Sequence, residues 1–245
     1  MDRRKVEIVK LCKLAHLDKK EIQRRLPSLG YKFIDFFNVD GLQGYVAECE
    51  KGQVLIFRES DSIIKEPIDW IHNFMAWKEE YEGKLYHAGY LKLALDNFNA
   101  IFDKITDLNL VIGGFSLGGG MAEVVANILA DTTGFNCWFA NIDGAAVIAE
   151  NGYTKGIHTI NSNSPVPILT LALGFNHFGD LIYFTFVGNT YINPKRIIRR
   201  FDFIMETIED ILELSIGKID FEHNLTVIDI NYDNGMDKIR KVLDK

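Results

Sequence analysis

The feature that most constrains this chain is a junction. The run LNLVIGGF, residues 108–115, passes without a break into SLGGGMAEVVANILA, residues 116–130. The first half is β-branched and aromatic and reads as a strand. The second half is alanine-rich and amphipathic and reads as a helix. A chain that must turn from strand to helix on a single residue has few folds open to it, all of them α/β. The turn residue is Ser116, inside Gly114-Phe115-Ser116-Leu117-Gly118, a GxSxG pattern. In a strand–serine–helix elbow the serine is strained, and the glycines keep side chains off neighbouring backbone. Such a turn lifts the Ser116 hydroxyl clear of the sheet at a helix N-terminus, where partial positive charge favours a developing oxyanion. The N–H of Leu117 is then one oxyanion-hole donor. The competing reading is a glycine-rich connection with an incidental serine. A phosphate-binding loop is a weaker competitor, because no GK[ST] follows the glycines.

The rest of the chain supports an α/β reading. Apolar residues between Val6 and Leu26 recur at helical spacing up to Pro27, so residues 1–40 are read as an N-terminal helical segment packed on the body. Strands are expected at Tyr45–Cys49, Val54–Arg58, Cys137–Ile142, Ile157–Asn161 and Leu181–Val187. Helices are expected at Pro67–Trp77, Tyr86–Ile105, Leu117–Ala130, Lys195–Leu214 and Met236–Leu243. No repeat, low-complexity tract or linker divides the sequence. The expectation is one domain over residues 1–245, with a mostly parallel central sheet flanked by helices.

Composition removes several classes of function. With 47% hydrophobic and 25% charged residues, the chain is neither disordered nor fibrous. Lys plus Arg is 27 against 34 Asp plus Glu, a formal charge of −7, which gives nucleic acid no electrostatic footing. No apolar run reaches the roughly 18 residues of a membrane span. Cys12, Cys49 and Cys137 are widely spaced and odd in number, so reduced thiols in a cytoplasmic setting are expected. They form no Cys/His cluster, and neither metal nor cofactor is implied.

Further segments, taken with GFSLGG, carry a resemblance. VLIFRES, DWIHNF, Tyr86-His87-Ala88-Gly89-Tyr90, INSNSPVPILTLALGFNHFG and Glu222-His223-Asn224-Leu225 follow one another in that order. Together they resemble the class 3 (fungal-type) lipases of the α/β-hydrolases over most of residues 40–230. The family's elbow usually reads GHSLGG, and here Phe115 replaces the histidine. The resemblance implies an α/β-hydrolase fold. It also implies a second oxyanion donor, the backbone N–H of Ser60, with Arg58 bracing that loop. Glu59 stands where the family has glycine.

A serine hydroxyl needs a neighbouring base, and triad order in this fold is serine, acid, histidine. Downstream of Ser116 lie His158, His177 and His223. His158 sits in the apolar run GIHTI and reads as a core or edge-strand residue. His223, in the polar loop FEHNLT, is favoured as the base, with His177 the runner-up. The family's acid position before V-P falls on Ser164, which cannot carry the charge. Asp143, at the end of the strand CWFANI, is the relocated candidate; the alternative is that it merely begins an Asp-Gly turn.

Residues 61–83 are rich in isoleucine and tryptophan. They read either as a lid able to touch a membrane or micelle transiently, or as a helix packed permanently on the body. The expected activity is hydrolysis of lipid or smaller acyl esters. The alternatives are an acyltransferase and a weakened or inactive fold serving as a binding or structural module.

Overall fold

The computed structural model describes residues 2–39, 41–58, 77–131, 134–153, 155–162, 164–185, 189–194 and 231–243. The chain opens with three short helices, α1 (Arg3–Val6), α2 (Ile8–Leu14) and α3 (Lys19–Arg25). A 3₁₀ turn, Leu26–Leu29, ends on Gly30 with φ at +76°. The strands that follow are β1 (Lys32–Val39), β2 (Leu42–Cys49) and β3 (Gly52–Phe57). Next come β4 (Lys78–Tyr81), β5 (Lys84–His87), α4 (Ala88–Asp96), α5 (Phe98–Phe102), β6 (Asn109–Phe115) and α6 (Leu117–Ala130). Then follow β7 (Asn136–Ile142), β8 (Ile148–Glu150), β9 (Gly156–Asn161), α7 (Pro165–Ala172), β10 (Asp180–Phe184), β11 (Thr190–Ile192) and α8 (Met236–Leu243).

Among the described residues, eight strands form the main sheet in the order β1-β2-β3-β6-β7-β9-β10-β11. The centre, β3 through β10, is parallel, and the edges are antiparallel. Every residue of β3 and β9 is buried, as expected for parallel strands covered on both faces. A smaller sheet joins β4, β5 and β8. This is the α/β-hydrolase architecture, with the strand ends of β3, β6, β7 and β9 gathered beside the elbow.

Each face of the sheet has its own core, and β6 feeds both by alternation. Val111 and Phe115 pack with Ile8, Leu11 and Tyr45 on one side, while Leu110 and Ile112 pack with Met121, Val125 and Tyr90 on the other. Gly113 decides how closely α2 lies on β6, since a Cβ there would come 2.5 Å from Ile8 Cδ1. Arg4, almost fully buried, fastens the same helical segment to the strands: it donates to the carbonyls of Gln53 (3.2 Å) and Asn109 (2.7 Å) and pairs with Asp2.

Three expectations are corrected. The 1–40 segment is helical only in its first part, because Gly30 stops it and residues 32–39 become an edge strand paired with β2. The helix expected from Tyr86 begins at Ala88, because Tyr86 and His87 are drawn into the β4–β5 ladder opposite Glu79 and Lys78. It also breaks at Asn97, whose side chain donates to the carbonyl of Leu93 at 2.9 Å. Residues 61–76 and 195–214 lie outside the described residues; of the 61–83 segment, residues 77–83 are described, with Trp77 exposed and β4 a strand.

Replacing Gly113 by alanine should lower stability by about 1–3 kcal/mol through overpacking against Ile8. Urea unfolding of Gly113→Ala, Ile8→Ala and the double variant checks this: the double should cost less than the sum of the singles.

Candidate active site

Ser116 adopts φ +54° and ψ −118°, outside the regions open to an unstrained L-residue. Its surroundings impose that conformation. The Ser116 N–H donates to Ile142 O at 2.9 Å, tying the turn to the end of β7. Its own carbonyl accepts from Gly119 N (3.0 Å) and Gly120 N (3.3 Å), so the helical ladder starts on the serine itself. A side chain on Gly114 would run into the carbonyl of Gly118. One on Gly118 would sit 2.5 Å from the carbonyl of Phe57. The glycines of the GxSxG pattern thus allow α6 to press against β6 and β3. Leu117 is the first residue of α6, where backbone N–H groups lack intrahelical acceptors, and its side chain is buried.

Gly118 also packs on Arg58 at the end of β3, from which the chain runs on toward Ser60. Arg58 is braced there: its N–H reaches Gln43 O at 2.8 Å and its Nη1 reaches Gln43 Oε1 at 3.1 Å. Ser60 and Glu59 lie outside the described residues, as does His223.

Asp143 lies one residue beyond β7, as Ser116 lies one residue beyond β6, and Phe115 pairs with Ile142 in the parallel register. The serine and the aspartate therefore leave adjacent strands at the same level. Asp143 has φ +51° and is 3% exposed. Its N–H donates to Thr159 O at 2.8 Å, and its Oδ1 accepts from Asn161 N–H at 2.9 Å. Burial pushes the Asp143 carboxyl up to about 7, and the hydrogen bond from the Asn161 N–H pulls it the other way. The adjoining turn does not use this carboxylate. Asn141 serves it instead, accepting from Gly144 N (3.0 Å) and donating to Ala145 O (2.8 Å).

His158 is buried in β9, as its apolar run suggests. Its Nδ1 lies 2.7 Å from His177 Nδ1, and its Nε2 lies 3.3 Å from Glu123 Oε1. Burial lowers the His158 imidazole to about 3 and raises the Glu123 carboxyl well above the usual range, so both are neutral. His177, the runner-up base, is thus joined to this internal cluster. Glu123 is the residue that sequence reasoning passed over. Its signal was present: one carboxylate two helical turns after Ser116, inside the mostly apolar MAEVVANILA.

Solved structures with this fold include lipases from fungi. The chain is similar to lipase II from Rhizopus niveus (19% identity, TM-score 0.56, covering 74% of this chain and 77% of that one). It is also similar to the lipase from Rhizopus microsporus var. chinensis (19%, 0.53, 74% and 71%). A third is a triacylglycerol lipase from Penicillium expansum (14%, 0.55, 79% and 85%). At such identities the likeness shows a shared fold. No protein-family model and no curated protein matches the chain.

The burial of Asp143 has a consequence for stability. An unperturbed aspartate releases its proton near 3.8, whereas Asp143 in the folded chain does so at about 7. Within that window the folded state holds a proton the unfolded state has lost, so this group's contribution falls as pH rises and levels off above 7. Asp143→Asn removes the slope. Urea unfolding at pH 4 and pH 8 should show the variant gaining on wild type at the higher pH, by up to about 4 kcal/mol.

Proposed function

We propose that the chain is a serine hydrolase of carboxylic esters, acting on lipid or smaller acyl esters. One observation carries the reading. Ser116 is held in a strained, over-determined turn at the start of a buried helix, beside a buried carboxyl on the neighbouring strand. The fold shared with fungal lipases supports the same chemistry.

In this mechanism Ser116 Oγ attacks the acyl carbon while His223 removes its proton. The tetrahedral oxyanion is met by the backbone N–H groups of Leu117 and Ser60. His223 returns the proton to the departing alcohol, leaving an acyl-Ser116 ester that water then hydrolyses by the same steps. Asp143 orients the imidazole and stabilises its cation. A positive imidazolium beside it favours the ionised carboxylate over the buried acid. Cys12, Cys49 and Cys137 are free thiols, which suits a reducing compartment such as the cytoplasm.

Ser164, standing where the family carries its acid, is the observation that favours an inactive binding module instead. The two readings separate cleanly. A fluorophosphonate should label wild type once, on the peptide containing Ser116, and should not label Ser116→Ala. With p-nitrophenyl esters of graded chain length, Asp143→Asn should lower kcat by roughly three to four orders of magnitude while the fold is kept. No label on wild type removes the hydrolase reading, and full activity in Asp143→Asn removes Asp143 from it.

A further inference from the structure

Glu123 on α6, His158 on β9 and His177 in the loop between α7 and β10 form one line of side chains through the interior. The first two are fully buried and His177 is half-buried. Glu123 Oε1 lies 3.3 Å from His158 Nε2, and neither atom has a hydrogen bond elsewhere among the described residues. His158 Nδ1 lies 2.7 Å from His177 Nδ1. Two ring nitrogens so close share one hydrogen, donated by one and accepted by the other. Asn141 Oδ1 accepts from Gly144 N–H, so the amide turns its Nδ2 toward Glu123 Oε2, at 3.2 Å. A neutral Glu123 carboxyl therefore carries its hydrogen on Oε1, facing His158 Nε2. That nitrogen must accept, which puts the His158 hydrogen on Nδ1, donated to His177 Nδ1. His177 keeps its own hydrogen on Nε2. Every proton points the same way, from the helix toward the loop.

An added proton has no place in this line. An imidazolium at His177 would set Nδ1–H against Nδ1–H, and reversing His158 would set its Nε2–H against the Glu123 hydroxyl. We infer that the His158–His177 pair is an acid-sensitive latch, closed while both rings are neutral and opened by proton uptake, which frees the 173–179 loop from β9. The latch is independent of any chemistry at Ser116. The same loop is tied to β8, where Asn176 donates to Ile148 O from its N–H (2.8 Å) and to Ala149 O from Nδ2 (2.6 Å). His177 links it to the main sheet, so opening the latch loosens the join between the two sheets. Burial lowers the His158 imidazole from 6.5 to about 3. Between those values the closed state binds fewer protons than the open one, so acid favours opening. Other ionisable groups surround the line. Tyr86 on β5 and Tyr90 on α4 feel the Glu123 charge, and burial keeps both phenols protonated. His87 on β5 and Lys78 on β4 meet the loop at Phe175, and Asp180, at the start of β10, accepts from Asn193.

Two measurements on the whole chain test the latch. In 15N-histidine-labelled protein near neutral pH, ring nitrogen shifts should show His158 as the Nδ1–H tautomer and His177 as the Nε2–H tautomer. His177 is assigned by the loss of its signals in His177→Asn, and His158 by the coupling across the shared hydrogen. Amide exchange of the 173–179 loop, corrected for its intrinsic rate, is then followed from about pH 7.5 to about pH 5. In wild type it should rise roughly ten- to thirtyfold, the pull of one proton bound near 6.5 in the open state. His177→Asn places an oxygen where Nδ1 stood, an acceptor that does not charge, and should keep the loop protected throughout. His177→Ala should leave the loop unprotected throughout. His87, Lys78 and Asp180 are the same in all three proteins. A His158 ring found as the Nε2–H tautomer would overturn the proton line and the latch with it. Loop exchange that acid does not change in wild type, an equal acid rise in His177→Asn, or full protection in His177→Ala would each overturn the latch as well.

Discussion

The close approach of α6 to the ends of β3 and β6 is the constraint on which the site depends. A residue held at φ +54° costs on the order of 1–3 kcal/mol, so the turn persists only because its neighbours leave no alternative. Gly114 against Gly118, and Gly118 against Phe57, fix the helix within backbone contact of the sheet. The Ser116 N–H on Ile142 O fixes the turn to β7 as well. Residues Leu117–Leu129 are all buried, and that apolar contact is large enough to offset the local strain. The strained turn at Ser116 is therefore held by the packing beneath it.

Burying α6 completely forces its polar residues to find partners inside. Glu123 meets Asn141 Nδ2 at 3.2 Å and approaches His158, while Asn127 Oδ1 accepts from Tyr153 N–H at 2.6 Å. An ionised carboxylate at this depth would be far costlier than a neutral one, and burial settles Glu123 and His158 in their neutral forms. Asn141 links this polar layer to the site. Its two amide atoms hold the turn that follows Asp143 and touch Glu123 on the helix of Ser116. The elbow and the turn after Asp143 are thus joined through one polar layer between α6 and the sheet.

The phenylalanine at 115 has a physical reason. Phe115 points into the face covered by the N-terminal helices, where its ring lies 6.2 Å from that of His16 and packs within that core. An apolar ring suits a face closed over by α2. β6 and β7 end at the same level, so Ser116 and Asp143 leave the sheet side by side.

What the sequence by itself determined is what depends on local spacing. The GxSxG junction, the strands Asn136–Ile142 and Gly156–Asn161 and the helices Leu117–Ala130 and Met236–Leu243 are all written in short-range periodicity and glycine placement. The elements it misplaced owe their state to distant partners. Residues 32–39 become a strand because β2 offers an edge, and Tyr86 and His87 leave their helix for the β4–β5 ladder. The contacts that give the site its character join residues far apart in sequence: Gly118 with Phe57, Asp143 with Asn161, Glu123 with His158. Asp143 was legible as a candidate, but what its carboxyl touches came only from the tertiary structure. The turn is served by Asn141, and the carboxyl faces the end of β9. A carboxyl takes its meaning from what surrounds it, and only the folded chain supplies the surroundings.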